Sequence, residues 1–149
     1  MAKNIIPLSD LTVIDKESDK ISNLEVYKNG SAILMDKPIK WSSFDVVKYV
    51  RSRIPAKKVG HAGTLDPLAT GLLILCTGKA TRTISQIQAL TKTYLAKIQF
   101  GASTPTYDAE LEPDEYAEWN HITKESIQKV IEEQFTGTIS QVPPAYSAI

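Results

Sequence analysis

VGHAGTLDPLATGLLILCTG, residues 59–78, sets one carboxylate, Asp66, in a loop and follows it at once with an uninterrupted apolar run. Gly60, Gly63, Pro67 and Gly71 break any regular period over 60–71. Asp66 precedes a proline and is pushed toward extended backbone. Residues 72–76, Leu-Leu-Ile-Leu-Cys, then read as a short buried strand. The loop holds no Lys or Arg, so Asp66 has no sequence-local ion partner, and its small flanking residues let another backbone approach closely. An Asp in a Gly/Pro loop ordinarily satisfies its own backbone as a turn residue, and that reading stands beside a chemical one. A phosphate-loop reading of GLLILCTGKAT fails on spacing: six residues rather than four separate the glycines, and Ala80 rather than Ser or Thr follows Lys79. His61 alone is most often a structural or merely exposed imidazole.

Upstream, Asn29-Gly30 sits between two β-prone runs, which predicts a hairpin with strands at about 21–28 and 31–36. SSFDVVKYVRSRI predicts a helix with Phe44, Val47, Val50 and Ile54 on one face, Ser42 or Ser43 as N-cap and Asp45 in the first turn. Residues 1–20 are polar and unpatterned and read as a flexible extension preceding a domain over 21–149. Downstream, a helix is expected over about 80–90, burying Ile84, Ile87 and Leu90. TYLAKIQF (93–100) alternates as a strand, and the acid-rich 108–118 reads as an exposed loop. The stretch 122–135 forms an amphipathic helix on Ile127, Val130 and Ile131, capped by Thr123 and stopped at Gly137. No internal repeat is present. Strands and helices mix without a βαβ rhythm, so the expected class is α+β, a mainly antiparallel mixed sheet flanked by helices.

With 149 residues and 42% hydrophobic content, the chain suits one ordinary domain. The N-terminus resembles neither a signal nor a transit peptide, and Cys76 has no second cysteine to pair with. A reducing, cytoplasmic setting is expected. Apolar runs are far shorter than the ~18 residues of a membrane span. Two histidines and one cysteine, unclustered, predict no metal. The zero net charge conceals an uneven distribution: residues 37–97 carry eleven Lys/Arg against Asp45 and Asp66, so a polyanion has a segment on which to dock.

The stretch GHAGTLDPLATGL (60–72) resembles the signature loop of TruB-type pseudouridine synthases. Three more blocks stand in family order. Asp36-Lys37-Pro38, with Ser42-Ser43 after it, resembles the lysine-proline motif. Lys92-Thr93-Tyr94 resembles the tyrosine motif, and QVPPAYSAI (141–149) resembles the block that follows. The resemblance covers about residues 25–149, and Leu68-Ala69 is closer to the stand-alone bacterial enzymes than to the guide-RNA-directed ones. It implies isomerisation of uridine to pseudouridine in the T-arm of tRNA, at position 55, with no cofactor. Asp66 is then the essential carboxylate and Tyr94 the ring against a flipped base. His61, Lys37 and Gly63 are substrate-side contacts; the basic segment itself, rather than the resemblance, nominates Arg51, Arg53, Lys57 and Lys58 as a patch for the RNA backbone. The resemblance also implies further sequence beyond Ile149, with an arginine that pairs with the aspartate and an RNA-binding extension. The longer enzyme would be a monomer; this portion would be poorly active and prone to self-association. The alternatives from other classes are a noncatalytic RNA-binding module and a small nucleotide-binding domain.

Overall fold

The elements of the first part of the chain are, in order, β1 (Thr12–Ile14), α1 (Leu24–Asn29), β2 (Ser31–Lys37), α2 (Ser43–Arg51), β3 (Val59–His61), β4 (Gly71–Thr77) and α3 (Ile84–Gln88). They come from a computed structural model that describes residues 5–143. The chain divides into two units, one ending at Thr93 and one beginning at Tyr94.

The expected class holds. The first unit is a four-stranded sheet in the order β1-β2-β4-β3. β4 pairs antiparallel with β2, from Ala32↔Cys76 to Lys37↔Gly71, and antiparallel with β3, from Val59↔Thr77 to His61↔Leu75. Its apolar run is explained by burial on both faces, because successive side chains point opposite ways. Leu73 and Leu75 join Ile33, Ile14 and Tyr27 beneath Val46, Val47 and Val50 of α2. Cys76 joins Ala62, Ala80 and Ile87 on the other face, with Ile74 packed against them. Burial raises the Cys76 thiol to about 11, which keeps it protonated and inert.

Four expectations for the first unit are corrected. The hairpin at Asn29-Gly30 does not form. Residues 24–29 are instead a short helix, because Asn23 caps it through the Glu25 N–H and Tyr27 turns into the core with its hydroxyl on the Ile21 carbonyl. Gly30, at φ +121°, ends that helix so tightly that a Cβ would come 2.6 Å from the Ala80 nitrogen. Within the expected N-terminal extension, residues 12–14 form an edge strand parallel to β2, with Ile14 buried. In α2 the buried face is Ser43, Val46, Val47 and Val50, and Phe44 lies outside it with Lys48 over its ring. The helix expected at 80–90 starts as a 3₁₀ turn over Gly78–Thr83 and continues as α3, with Ile87 buried and Leu90 exposed.

The second unit contains β5 (Ala102–Ser103), β6 (Glu115–Tyr116) and α4 (Lys124–Gln134). β5 and β6 pair antiparallel, so the acid-rich stretch ends in a two-residue strand. α4 has the cap expected at Thr123, and none of its residues is buried. The strand expected at 93–100 is absent: residues 91–99 have no regular structure, and Tyr94, Leu95 and Ile98 are exposed. Alternation alone does not make a strand. A ladder needs neighbours for its N–H and C=O groups, and none among the described residues pairs with this stretch. The motif at 141–149 lies mostly outside the described residues.

Candidate active site

The loop between β3 and β4 carries Asp66 with its side chain exposed, while the backbone on both sides of it is held. On the N-terminal side, the Ser43 hydroxyl accepts the Leu65 N–H at 2.9 Å and stands 3.1 Å from the Leu65 carbonyl, to which it donates. On the C-terminal side, the Pro67 carbonyl accepts the Lys40 N–H at 2.7 Å and the Lys37 ammonium at 3.3 Å. Lys40 holds a left-handed backbone, φ 67°, as it makes that bond. The Ala69 N–H closes a turn onto the Asp66 carbonyl at 3.0 Å. The Asp66 carboxylate is thereby presented to solvent from a backbone held on both sides.

The substrate-side position expected of Lys37 is not what the structure shows: the residue lies beneath the loop, with no exposed surface. Its ammonium donates to the carbonyls of Trp41 at 2.6 Å, Pro38 at 3.0 Å and Pro67. The β2–β4 register explains this, since Lys37 pairs with Gly71 at the base of the loop. Burial lowers the Lys37 pKa, and the Asp66 carboxylate acts in the opposite direction. Asp66 therefore stands near a buried ammonium that is held by three backbone carbonyls.

His61, at the end of β3, places Nδ1 2.7 Å from the Gly63 carbonyl. A carbonyl only accepts, so Nδ1 carries the proton of this bond and Nε2 is left free of it. Gly63 reaches φ +133°, a conformation L side chains avoid, in open space. Tyr94 belongs to the second unit and is exposed there.

The four cations expected to form one patch are all exposed, but they are engaged differently. The Arg53 guanidinium lies 3.6 Å from the Tyr49 ring centre and donates to the Tyr49 carbonyl and the Ser52 hydroxyl. Lys57 and Lys58 instead line a cavity of about 420 Å³ together with Lys28, Lys79, Thr81 and Arg82. No carboxylate among the described residues lines it. These residues are scattered in sequence and converge because Lys58 precedes β3 while Gly78 follows β4. The Gly78 N–H bonds the Lys58 carbonyl at 2.9 Å. The cavity lies at the end of the hairpin opposite Asp66, roughly 20 Å away along seven strand residues at ~3.3 Å each. In the sequence, the signs of it are Lys57 and Lys58 of the expected patch and the Gly-Lys pair at 78–79.

A family model described as TruB family pseudouridylate synthase (N terminal domain) matches residues 51–149. The chain belongs to the TruB family. It is 48% identical over 128 residues to the tRNA pseudouridine synthase B of Phocaeicola vulgatus, covering 82% of this chain and 54% of that protein. It is 51% identical over 128 residues to that of Bacteroides thetaiotaomicron, with 82% and 53% covered. For Flavobacterium johnsoniae the figures are 48% over 132 residues, with 84% and 57% covered. The chain thus spans about half the length of the curated TruB-family relatives it matches. Among the described residues, no helix is long and apolar enough to cross a membrane.

Proposed function

We propose that the intact protein isomerises a uridine of tRNA to pseudouridine, in the T-arm at position 55, with Asp66 as the reacting group. The observation that carries this reading is an exposed carboxylate on a loop whose flanking residues are both pinned, in a chain similar to proteins named tRNA pseudouridine synthase B. Moving the ribose from N1 to C5 of uracil needs no redox step and no added atom. It needs a group beside the sugar and base that can attack or take a proton, and a carboxylate does either.

A stacked base must first leave the helix, which costs a few kcal/mol. In this reading the Tyr94 ring offsets part of that by stacking, worth about 1–3 kcal/mol per base. His61 contributes a contact near the nucleotide, and Gly63 leaves room for its approach. Arg51, Arg53, Lys57 and Lys58 hold backbone phosphates, with the cationic cavity as the deepest contact. The compartment of such a reaction is the cytoplasm, where tRNA is processed.

The test is release of the C5 proton from tRNA labelled at that position, with protein in excess. Asp66→Asn should abolish release and leave tRNA affinity within about threefold, since phosphates supply most of the binding. Substantial single-turnover release by Asp66→Asn would show Asp66 to be a turn residue only. Binding should also weaken steeply with salt, and neutralising Lys57 and Lys58 should flatten the log–log slope by about one unit for each phosphate that is no longer paired.

A further inference from the structure

Consecutive serines at the start of α2 have separate tasks. Ser42 is the N-cap: its hydroxyl accepts the Asp45 N–H at 3.1 Å and donates to the Asp45 carboxylate at 2.6 Å. Ser43 takes no part in that cap. Its side chain is buried and reaches 22 residues ahead to Leu65, the residue directly before Asp66. One hydroxyl there satisfies both polar groups of the Leu65 backbone, accepting from the N–H and donating to the C=O. A loop residue between Gly63 and Pro67 would otherwise have to leave those groups to water.

We infer that Ser43 is a positioning residue for the proposed reaction: it fixes the backbone from which the Asp66 carboxylate is aimed, acting through Leu65 and touching no substrate. The inference rests on Asp66 being the reacting group. Lys37 and the Lys40 N–H hold the C-terminal side of the aspartate at Pro67; on the N-terminal side the Leu65 side chain packs against the core, and among the described residues Ser43 supplies the side-chain hydrogen bonds that fix the Leu65 backbone. With that hold gone, Leu65 gains freedom and the carboxylate swings about the Pro67 anchor. A displacement of about 1 Å at a reacting atom costs on the order of 100-fold in rate. The phosphate-binding lysines lie at the far end of the hairpin, so RNA affinity should be left unchanged.

The experiment compares Ser43→Ala, Ser43→Thr and Asp66→Asn with the wild type in the intact protein. It measures tRNA affinity, single-turnover release of the C5 proton, and amide hydrogen exchange at Leu65. Ser43→Ala should lower the single-turnover rate by about 10- to 100-fold with affinity within about threefold, and speed exchange at Leu65. Ser43→Thr, which keeps the hydroxyl, should recover most of the rate. A Ser43→Ala rate within about threefold of wild type, with the protein folded by circular dichroism, would overturn the inference. So would a loss matched by weakened binding, or failure of Ser43→Ala to fold at all, since either makes Ser43 a structural residue. If Asp66→Asn stays active, the catalytic reading fails. If Asp66→Asn is inactive while Ser43→Ala is unimpaired, only the positioning role fails.

Discussion

Leu75 and Leu95 are leucines in two apolar-rich runs of the same chain, yet Leu75 is wholly buried and Leu95 is wholly exposed. The first lies in β4, with β2 hydrogen-bonded on one side and β3 on the other. The second lies in a stretch that no described strand pairs with. Every buried hydrophobic residue among those described falls at or before Ile87, in the first unit. The unit from Tyr94 on presents Tyr94, Ile98, Tyr116, Trp119 and Phe135 to solvent. Composition and alternation nominate a strand, then, but neighbours on both edges decide it. The same contrast puts Asp66 on the part of the molecule that has a core to hold it.

A matched pair of truncations probes that contrast most directly. Leu75→Ala should cost about 2–5 kcal/mol, the loss of a buried side chain plus the cavity it leaves. Leu95→Ala should stay within about 0.5 kcal/mol, as exposed substitutions do. Urea unfolding of both variants decides the matter. A cost for Leu95→Ala comparable to that for Leu75→Ala would mean that 93–100 is packed in solution.

A second pair contrasts lysines. Lys37→Met would remove a buried ammonium and leave the carbonyls of Pro38, Trp41 and Pro67 short of a donor, at a cost of about 2–4 kcal/mol. Lys129 in α4 makes only an exposed pair with Glu133 at 3.9 Å, so Lys129→Met should change stability by less than about 0.5 kcal/mol. The buried lysine also has a pH signature. Because its pKa is lowered by burial from 10.5, the unfolded chain binds the proton more readily between the lowered value and 10.5. Wild-type stability relative to Lys37→Met should therefore rise with pH across that window. A flat difference would show that the ammonium is hydrated after all.

Much of this contrast was readable in advance where local chemistry and packing agree. β4 follows from its apolar run, and α4 from Thr123 and its spaced isoleucines. The loop chemistry of Asp66 follows from Gly63, Pro67 and Gly71. What was not readable depends on long-range contact. Asn29-Gly30 suits a hairpin turn and a helix end equally well, and the burial of Tyr27 selected the helix. In Phe44-Asp45-Val46-Val47 two faces differ by a small rotation; Ser43, drawn inward to Leu65, brings 46, 47 and 50 with it. β1 has three residues, too few for a pattern. Lys37 reads as a substrate-side cation until the register with Gly71 sets it under the loop. The cationic cavity collects residues from 28 to 82 that no sequence window spans.

The smallest effect separates two helix caps of the same design. α2 has a reciprocal box in which Asp45 receives the Ser42 N–H at 3.0 Å, and α4 has one in which Ser126 receives the Thr123 N–H at 3.0 Å. Only the first returns the bond through a carboxylate. The Ser42 hydroxyl, followed by the Ser42 N–H, holds the Asp45 pKa below its ordinary 3.8. A carboxyl with a depressed folded-state pKa contributes stability that is complete above the unfolded value and disappears as pH falls through the folded one. The advantage of wild type over Asp45→Asn should therefore be largest near neutrality and shrink as pH drops below about 4. Ser126→Ala removes an uncharged partner, so its effect should show no such slope. Thermal midpoints of the three proteins between about pH 6 and pH 2 test this. An Asp45→Asn difference that stays constant into acid would mean that the hydroxyl network, rather than the charge, holds the cap beside which Ser43 reaches Leu65.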